Sequence, residues 1–191
     1  MIYIMRHGQT EMNSRHVLQG RSDRPLNARG VAQAEAAAKQ LKGLGISFDR
    51  VFSSPLIRAV QTAGIVAPGV PPEVDERLIE MEYGPYEGMD LSAPAPEVAA
   101  FFSDFARNPA PEGMEPLAHV VARTGDFMEM LRDCDGSILI STHAIAMKGI
   151  LEYLTPGSNG GWWSRYIGNC AVYAVERRDG GFGIPRELRD F

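Results

Sequence analysis

The chain has 191 residues, a length typical of one domain, and its 45% hydrophobic and 23% charged residues exclude collagen-like and disordered classes. The net charge of −5 argues against a general nucleic-acid-binding protein, because such a protein needs a basic face to contact phosphates. No apolar run approaches the roughly 18 residues of a membrane span, and Arg6 interrupts the first apolar run too early for a signal peptide. We therefore expect one cytoplasmic domain over residues 1–191 that binds neither nucleic acid nor membrane.

The first predicted elements are a strand and a helix joined by a long loop. Residues 2–5 form a short apolar run with β-branched and aromatic side chains, which is typical of a strand buried on both faces. Residues 8–26 are polar and contain a glycine and a proline, which favours a loop. Asn27 is a suitable N-cap for a helix that ends near Gly43. The apolar positions of this helix recur at intervals of three and four residues, at Val31, Ala34, Ala38 and Leu41.

A second strand is predicted at residues 51–54 and runs directly into a helix that ends near Val66. The Ser-Pro pair at the junction supplies an N-cap followed by proline at the first helical position. Residues 68–97 contain six prolines and are expected to be irregular, with a brief strand near residues 73–75.

The clearest predicted strand lies in the second half of the chain. A short helix around the phenylalanines of 101–105 precedes a long helix that begins at Pro116 and ends in a turn at 133–136. Residues 137–141, with the sequence SILIS, predict a buried strand. This strand leads directly into a helix over 144–154, which a Thr-Pro-Gly sequence ends.

The last two predicted strands, residues 170–175 and 182–188, flank a turn at 178–181 and indicate a hairpin. Strands and helices alternate along the rest of the chain. This alternation predicts an α/β fold with three layers, α/β/α, around a mainly parallel central sheet. Such folds bind their ligands at the carboxyl ends of the strands.

Two histidines and two arginines are predicted to converge at that edge of the sheet. Arg6 and His7 follow the first strand, His143 follows the strand at 137–141, and Arg58 lies in the first turns of the helix after the second strand. Helix N-termini at the same edge favour an anion such as phosphate. The first 30 residues contain five arginines against two acidic residues, a local charge of +3 that also suits a small anionic ligand.

Several familiar phosphate chemistries are excluded by the sequence. It has neither a Walker A pattern nor a GxSxG motif. The two cysteines, Cys134 and Cys170, lack metal-ligand spacing and lack the arginine that a cysteine-phosphatase loop needs six residues later, so we expect two buried thiols. The sequence DCDGS at 133–137 is similar to an aspartyl-phosphatase signature. However, Asp133 is predicted to end a helix rather than a strand, so we interpret the segment as a turn.

The remaining nucleophile is a histidine, and a series of sequence blocks points to one family. The blocks are RHGQT at 6–10 with Asn13, GRSDRPL at 20–26 with Gly30, SSPLIRA at 53–59 with QTA at 61–63, LIE at 78–80 with Gly84 and EG at 87–88, GME at 113–115, and STH at 141–143. In this order and spacing the chain resembles the histidine phosphatase superfamily, also called the phosphoglycerate mutase-like family. The resemblance covers most of the chain and implies a phosphoglycerate mutase-like fold.

The resemblance also implies a role for each residue of the cluster. His7 would attack phosphorus and become a phosphohistidine, while Arg6, Arg58 and His143 would hold the phosphoryl oxygens. Glu80 would protonate the leaving oxygen. An imidazole nucleophile must be neutral, whereas His143 is most useful as a cationic donor, so we expect the two protonation states to differ. Because arginines can neutralise the charge of the phosphoryl group, we expect neither a metal nor a cofactor.

The acid and the substrate contacts are less tightly defined than the phosphate ligands. Glu82 is an alternative to Glu80, because the two side chains share a face if the segment is extended. The resemblance nominates further contacts to the substrate, which are Gly8, Gln9, Asn13, Gly20, Arg21 and Ala144.

The resemblance favours a phosphatase over a mutase. The Gln-Thr pair after the RHG motif is phosphatase-like, Ala144 replaces a usual glycine, and the chain lacks an insertion found in cofactor-dependent mutases. The predicted function is hydrolysis of a small phosphorylated metabolite through a phosphohistidine. A cofactor-dependent phosphoglycerate mutase and a non-catalytic phosphate-binding regulatory protein remain alternatives. A homodimer is possible, and Trp162 and Trp163 could form a contact patch, a lid or part of the core.

Overall fold

The computed structural model describes residues 1–105 and 107–188, and its centre is one mixed sheet of six strands. The strands of the described residues are β1 (Ile2–Arg6), β2 (Arg50–Ser53), β3 (Glu73–Val74), β4 (Ile138–Thr142), β5 (Val172–Val175), β6 (Arg177–Arg178), β7 (Gly181–Phe182) and β8 (Arg186–Glu187). The sheet order is β3-β2-β4-β1-β5-β8. The first four strands of this order are parallel, and β5 and β8 add antiparallel pairs at one side.

Helices cover both faces of this sheet, as expected for three layers. The helices are α1 (Glu11–Ser14), α2 (Ala28–Gly43), α3 (Ile57–Val66), α4 (Pro96–Ser103), α5 (Leu117–Met130) and α6 (Ala144–Leu154). Alternate side chains of β1 point to opposite faces. Ile2 and Ile4 pack in a core cluster with α5 and α6, whereas Tyr3 and Met5 pack in a second cluster with α2 and α3. The predicted α/β/α architecture is therefore confirmed.

A third apolar cluster lies beyond the two layers of the main core. It contains buried side chains from α4, α5 and the amino end of α6, together with residues of the segments that follow β1 and β3. Met81 and Ile145 belong to it and flank, in sequence, two of the predicted site residues. This cluster therefore supports one side of the predicted site.

Several elements differ from the expectations in detail. The loop at 8–26 contains α1, because Thr10 and Asn13 form a reciprocal capping box. In α2 the buried face includes Ala37, whereas Val31 is exposed. The predicted cap of α3 is wrong, because the N-cap is Leu56 and the helix begins at Ile57, so Ser54 and Pro55 both precede it; the Ser54 hydroxyl accepts the Leu56 N–H in this preceding turn.

The cysteines and tryptophans also allow a test of the expectations. Cys170 is buried, but Cys134 is only partly buried, so the expectation of two buried thiols is wrong for Cys134. Trp162 and Trp163 are both buried, which favours the core alternative over an exposed patch. Asp133 precedes β4 at the strand end opposite to His143, which confirms the turn interpretation of the DCDGS segment. Within the described residues no helix has the length and hydropathy to cross a membrane.

Candidate active site

The predicted convergence at the carboxyl ends of the strands is confirmed by the geometry. Arg6 ends β1 and His7 follows it, His143 follows β4, and Arg58 lies in the first turn of α3. The ring centroids of the two histidines are 5.0 Å apart. The Nε of Arg58 lies 3.2 Å from Nε2 of His7 and 3.2 Å from Nδ1 of His143, so one guanidinium N–H is shared between both rings.

The hydrogen bonds assign opposite tautomers to the two histidines. Nδ1 of His7 lies 2.6 Å from the carbonyl oxygen of Gly8, which can only accept, so Nδ1 carries the proton. Nε2 of His7 is then unprotonated, and its lone pair accepts the Nε–H of Arg58. In His143 the Nδ1 accepts from Arg58, and Nε2 donates to the Ser54 hydroxyl at 2.7 Å. His7 therefore presents an unprotonated nitrogen at the centre of the site.

Both rings accept a hydrogen bond from the Arg58 guanidinium, so each ring has one unprotonated nitrogen, as a neutral imidazole does. Burial, followed by the charges of Arg58 and Arg6, holds the pKa of His7 well below its ordinary value. Burial and the charge of Arg58 likewise hold the pKa of His143 well below its ordinary value. The expectation that the two protonation states differ is thus wrong for this structure. The rings differ instead in tautomer, because His7 accepts from the guanidinium through Nε2 and His143 accepts through Nδ1.

Arg58 is held rigidly between the histidines and a neighbouring loop. Its side chain is fully buried, and its two terminal nitrogens donate to the carbonyl oxygens of Ser22 at 2.7 Å and Gly20 at 2.6 Å. Burial lowers the pKa of Arg58 to about 10, so the group remains a cation at neutral pH. A fixed cation therefore faces both imidazoles.

Arg6 is the second cation of the site and is partly buried. Its Nη1 donates to the carbonyl oxygen of Ile167 at 2.5 Å, which anchors one end of the guanidinium. Within the described part of the chain, its buried Nε has no hydrogen-bond partner. An unsatisfied buried donor costs about 1–3 kcal/mol. An anionic ligand in this site would supply the missing acceptor.

The Glu80 carboxylate lies at the amino end of α6, the helix that begins directly after His143. Its Oε1 accepts the backbone N–H groups of Met81 at 2.9 Å and Ala146 at 3.0 Å, and its Oε2 accepts that of Ile145 at 3.2 Å. The carboxylate is buried, and its charge acts on Arg6 and Arg58. The helix N-terminus therefore holds this carboxyl group within the field of the two arginines.

Glu82, the alternative acid, lies at the rim of the site. Its carboxylate is exposed and forms an ion pair with Arg21 at 3.0 Å. Its backbone N–H donates to Glu115. The structure thus separates the two candidates, because Glu80 faces the two cations of the site and Glu82 faces solvent.

The segment that carries Glu80 is clamped by two residues that sequence reasoning did not identify as functional. Nη1 of Arg123 donates to the carbonyl oxygens of Ile79 at 2.6 Å and Arg77 at 2.8 Å. Its Nε donates to Glu115 at 2.7 Å, and Glu115 also accepts from the Glu82 backbone. We define the Arg123–Glu115 pair as the clamp. Glu115 belongs to the GME block, but nothing in the sequence marks Arg123.

Two of the nominated substrate contacts, both glycines, have backbone roles in this structure. The N–H of Gly8 donates to the Thr62 hydroxyl at 3.0 Å, and a Cβ at this glycine would lie 2.5 Å from the carbonyl oxygen of Gly30. Gly20 accepts from Arg58, and its N–H donates to Glu87. These glycines allow close approach of the backbone around the phosphate ligands. Ala144, partly buried, is the first residue of α6, directly after His143.

The remaining nominated contacts bind other protein groups. The Gln9 side chain accepts from Asn27, and Asn13 completes the capping box of α1. Arg21 pairs with Glu82 at the rim. These three side chains are therefore engaged with protein groups other than the two histidines and Arg58.

Comparisons with known proteins agree with this geometry. A sequence model described as the Histidine phosphatase superfamily (branch 1) matches residues 2–187. A 2,3-bisphosphoglycerate-dependent phosphoglycerate mutase from Bradyrhizobium sp. is 31% identical over 171 residues, which cover 82% of this chain and 83% of that protein.

Solved structures share the fold over almost the whole chain. Phosphoserine phosphatase from Entamoeba histolytica, in complex with 3-phosphoglyceric acid, has a TM-score of 0.80 and 25% identity, with coverage of 98% of this chain and 94% of that chain. The mycobacterial glucosyl-3-phosphoglycerate phosphatase, in complex with VO3, has a TM-score of 0.80 and 28% identity over 92% of each chain. The relatives thus include both phosphatases and a mutase. Since the family match spans nearly all of the sequence, the chain belongs to the histidine phosphatase superfamily.

Proposed function

We propose that the protein is a phosphomonoesterase that transfers the phosphoryl group of a small metabolite first to His7 and then to water. The observation that carries this proposal is the lone pair on Nε2 of His7. The Gly8 carbonyl binds the proton on Nδ1, so Nε2 is the ring nitrogen that can form a bond to phosphorus. Arg58 and Arg6 provide the positive charge that the transferring group needs.

In the first step, Nε2 of His7 attacks phosphorus while the bond from phosphorus to the ester oxygen breaks. Binding of the dianionic substrate beside the Glu80 carboxylate favours uptake of a proton by Glu80, which gives this proton to the departing oxygen, so the alcohol leaves neutral. The imidazole becomes a phosphoimidazolium whose Nδ1–H is stabilised by the Gly8 carbonyl. Arg58 and the free Nε of Arg6 donate to the phosphoryl oxygens.

In the second step, a water molecule attacks the phosphohistidine. Glu80 accepts a proton from this water, the new bond to phosphorus forms, and the bond from phosphorus to His7 breaks. Inorganic phosphate leaves, and both His7 and the protonated Glu80 are regenerated.

The dianionic substrate raises the pKa of His143, so its Nδ1 gains a proton and donates to a phosphoryl oxygen. The cationic state expected for His143 is therefore a property of the complex.

The arginines make a catalytic metal unnecessary in this mechanism, since they neutralise the phosphoryl oxygens themselves. We expect full activity in the presence of a chelator. Loss of activity in chelator that returns on addition of magnesium would contradict the mechanism.

A mutase is the second candidate, because a mutase is among the relatives that match four fifths of the chain. The two activities differ in the acceptor of the phosphoryl group. With 3-phosphoglycerate as substrate, we expect inorganic phosphate or no reaction, and no rapid formation of 2-phosphoglycerate. Isomerisation that depends on added 2,3-bisphosphoglycerate would replace the phosphatase assignment with a mutase assignment.

Release of phosphate from nitrophenyl phosphate tests the proposal against a non-catalytic binding protein. The wild-type protein should turn over, and His7→Ala should lose activity by about 10⁴-fold or more, as expected when a nucleophile is removed. His16→Ala is a matched control outside the site. Equal activity of the wild type and His7→Ala would contradict the proposal.

A further inference from the structure

A cavity lies beside the proposed phosphate site and is not used by the steps described above. It has a volume of about 530 Å³. Its wall is formed by the end of α4, the segment around Trp163 and one side chain of α6, and its lining includes Phe102, Asp104, Phe105, Lys148, Trp163 and Tyr166. We call it the Lys148 cavity.

Lys148 is the feature that distinguishes this cavity from the other grooves of the surface. It lies on the buried helix α6, four residues after Ala144, so the two residues share one face of the helix. Side chains of a helix lean toward its amino end, which here is the end that holds Glu80 and follows His143. The negative charge of Glu80 acts on the Lys148 ammonium. The lysine therefore extends toward the reacting centre.

The ammonium of Lys148 is buried but incompletely satisfied. Its side chain is 8% exposed, and Nζ lies 5.1 Å from the centroid of the Phe105 ring. An ammonium has three N–H donors. Among the described residues, its one hydrogen bond goes to the carbonyl oxygen of Trp163 at 2.7 Å, and it forms no ion pair. Burial lowers the pKa of Lys148 to about 8, so the amine is still mainly protonated at pH 7.

Tyr166 links the wall of the cavity to Arg6. The Tyr166 side chain lines the cavity, and its phenol interacts with the guanidinium of Arg6. The next residue, Ile167, accepts a hydrogen bond from Arg6. A molecule whose phosphate binds Arg6 can therefore place its other end in the cavity.

The charges around the cavity favour an anion. Lys148 and Arg165 both line it, and its acidic residue, Asp104, forms an ion pair with Arg107. A carboxylate on the ligand would accept the free donors of Lys148 and would compensate its buried charge.

We propose that the Lys148 cavity takes up the alcohol part of the substrate and that Lys148 binds a carboxylate on it. The substrates are then small phosphorylated carboxylic acids rather than neutral phosphorylated alcohols. This proposal rests on the proposed function, because it assumes that the phosphate of the same molecule lies against Arg6 and His7.

Binding to the inactive variant His7→Ala separates this proposal from catalysis. Two matched pairs of esters are titrated by calorimetry: phosphoglycolate against 2-hydroxyethyl phosphate, and 3-phosphooxypropionate against 3-hydroxypropyl phosphate. Within each pair, one ester has a carboxylate where the other ester has a hydroxymethyl group. In at least one pair the acid should bind about tenfold or more tightly, the scale of one charge-assisted hydrogen bond.

Substitutions in the same background then test Lys148 itself. Lys148→Met should remove the preference for the acid, and Lys148→Arg should retain it. Lys39→Met removes an exposed lysine on α2 and should leave the preference unchanged. If the methionine variant does not fold, Lys148→Gln retains an N–H donor for Trp163 and should also lose the preference.

Two results would overturn the proposal. Equal affinities within both ester pairs would exclude a carboxylate site of this reach, and an acid preference that survives Lys148→Met and Lys148→Gln would place the site elsewhere. Failure of the proposed function is a separate result, because it would appear as no turnover of any phosphate ester by the wild-type protein.

Discussion

The two ends of the site differ in how firmly the protein holds the central cation of each end. At the phosphate end, Arg58 donates to two imidazoles and two carbonyl oxygens, and the neighbouring Arg6, His7 and His143 lie at the ends of strands. At the other end, the Lys148 ammonium has one hydrogen bond within the described residues and faces an open cavity. The phosphate end is therefore preorganised for one chemical group, whereas the cavity end depends on the ligand for its partners. This difference predicts that substitution of Arg58 affects all esters equally, whereas substitutions at the cavity end discriminate among the alcohol parts of esters and substitutions at the acid Glu80 or its clamp discriminate among leaving groups.

The largest selective effect is expected for Glu80→Gln. An alkyl alkoxide leaves poorly without a proton, so phosphorylation of His7 by an alkyl phosphate should slow by about 10²–10⁴-fold. A nitrophenolate needs little protonation, and its transfer should slow much less. The measurement is single-turnover phosphorylation, because Glu80 also assists water in the second step.

Glu82→Gln serves as the matched control for this prediction, since Glu82 pairs with Arg21 at the rim. It should slow neither substrate selectively. Equal losses for both esters in Glu80→Gln would exclude this residue as the acid, and a selective loss in Glu82→Gln would transfer the role to Glu82.

Arg58→Lys should reduce kcat/KM by about 10²–10³-fold for alkyl and nitrophenyl phosphates alike. The lysine retains a charge but cannot reach both imidazoles and two carbonyl oxygens at once. Arg24→Lys, at an exposed arginine of the preceding loop, should have little effect. A loss confined to alkyl phosphates would contradict the assignment of Arg58 to the phosphate end.

A smaller effect of the same kind as Glu80→Gln is expected for the clamp. Arg123→Gln removes the donors to the carbonyl oxygens of Ile79 and Arg77, so Glu80 is less well positioned. The rate with alkyl phosphates should fall by about tenfold to 10²-fold, with a smaller change for nitrophenyl phosphate. Arg123→Lys should recover part of the loss. A uniform loss for both esters would indicate a structural role without influence on the acid.

The smallest expected effect is a pH dependence of carboxylate preference. Because the pKa of Lys148 is lowered to about 8, the ammonium is present below this pH and is lost as the pH rises above it. The preference of the His7→Ala variant for acids should thus fall severalfold between pH 7 and 9.5, where the ester phosphates are dianionic throughout. The other titratable groups around Lys148 are Glu80, Arg6, Asp104, Arg165 and Tyr166. The titration is repeated in Tyr166→Phe, and a fall that occurs only when the phenol is present would contradict the role of Lys148.

The same contrast explains what could be predicted from the sequence. Arg6 ends a strand, and His7 and His143 directly follow strands, so the α/β alternation alone places them at one edge of the sheet. The tautomers could not be predicted, because they depend on Gly8 and Ser54, whose contacts exist only after folding. The α2 face was misassigned at Val31 because regular spacing does not determine which adjacent apolar residue meets the sheet.

The cavity end shows the limit of motif reasoning most clearly. Lys148 carries a weak signal, since it is the single charged residue in the first two turns of an otherwise apolar helix. Its partners, however, come from Trp163 and Phe105, which are distant in sequence and share no motif with it. Arg123 contacts backbone carbonyls about 45 residues away, which no local pattern reveals.

Trapping of the phosphorylated intermediate tests the central claim most directly. Turnover of a labelled ester is quenched with alkali, the modified residue is mapped by mass spectrometry, and phosphorus NMR distinguishes the two ring nitrogens. Because the Gly8 carbonyl binds the Nδ1 proton of His7, the label should be on Nε2 of His7, labile to acid and stable to alkali. A label on Nδ1, on another histidine or on an aspartate such as Asp133 would contradict the account.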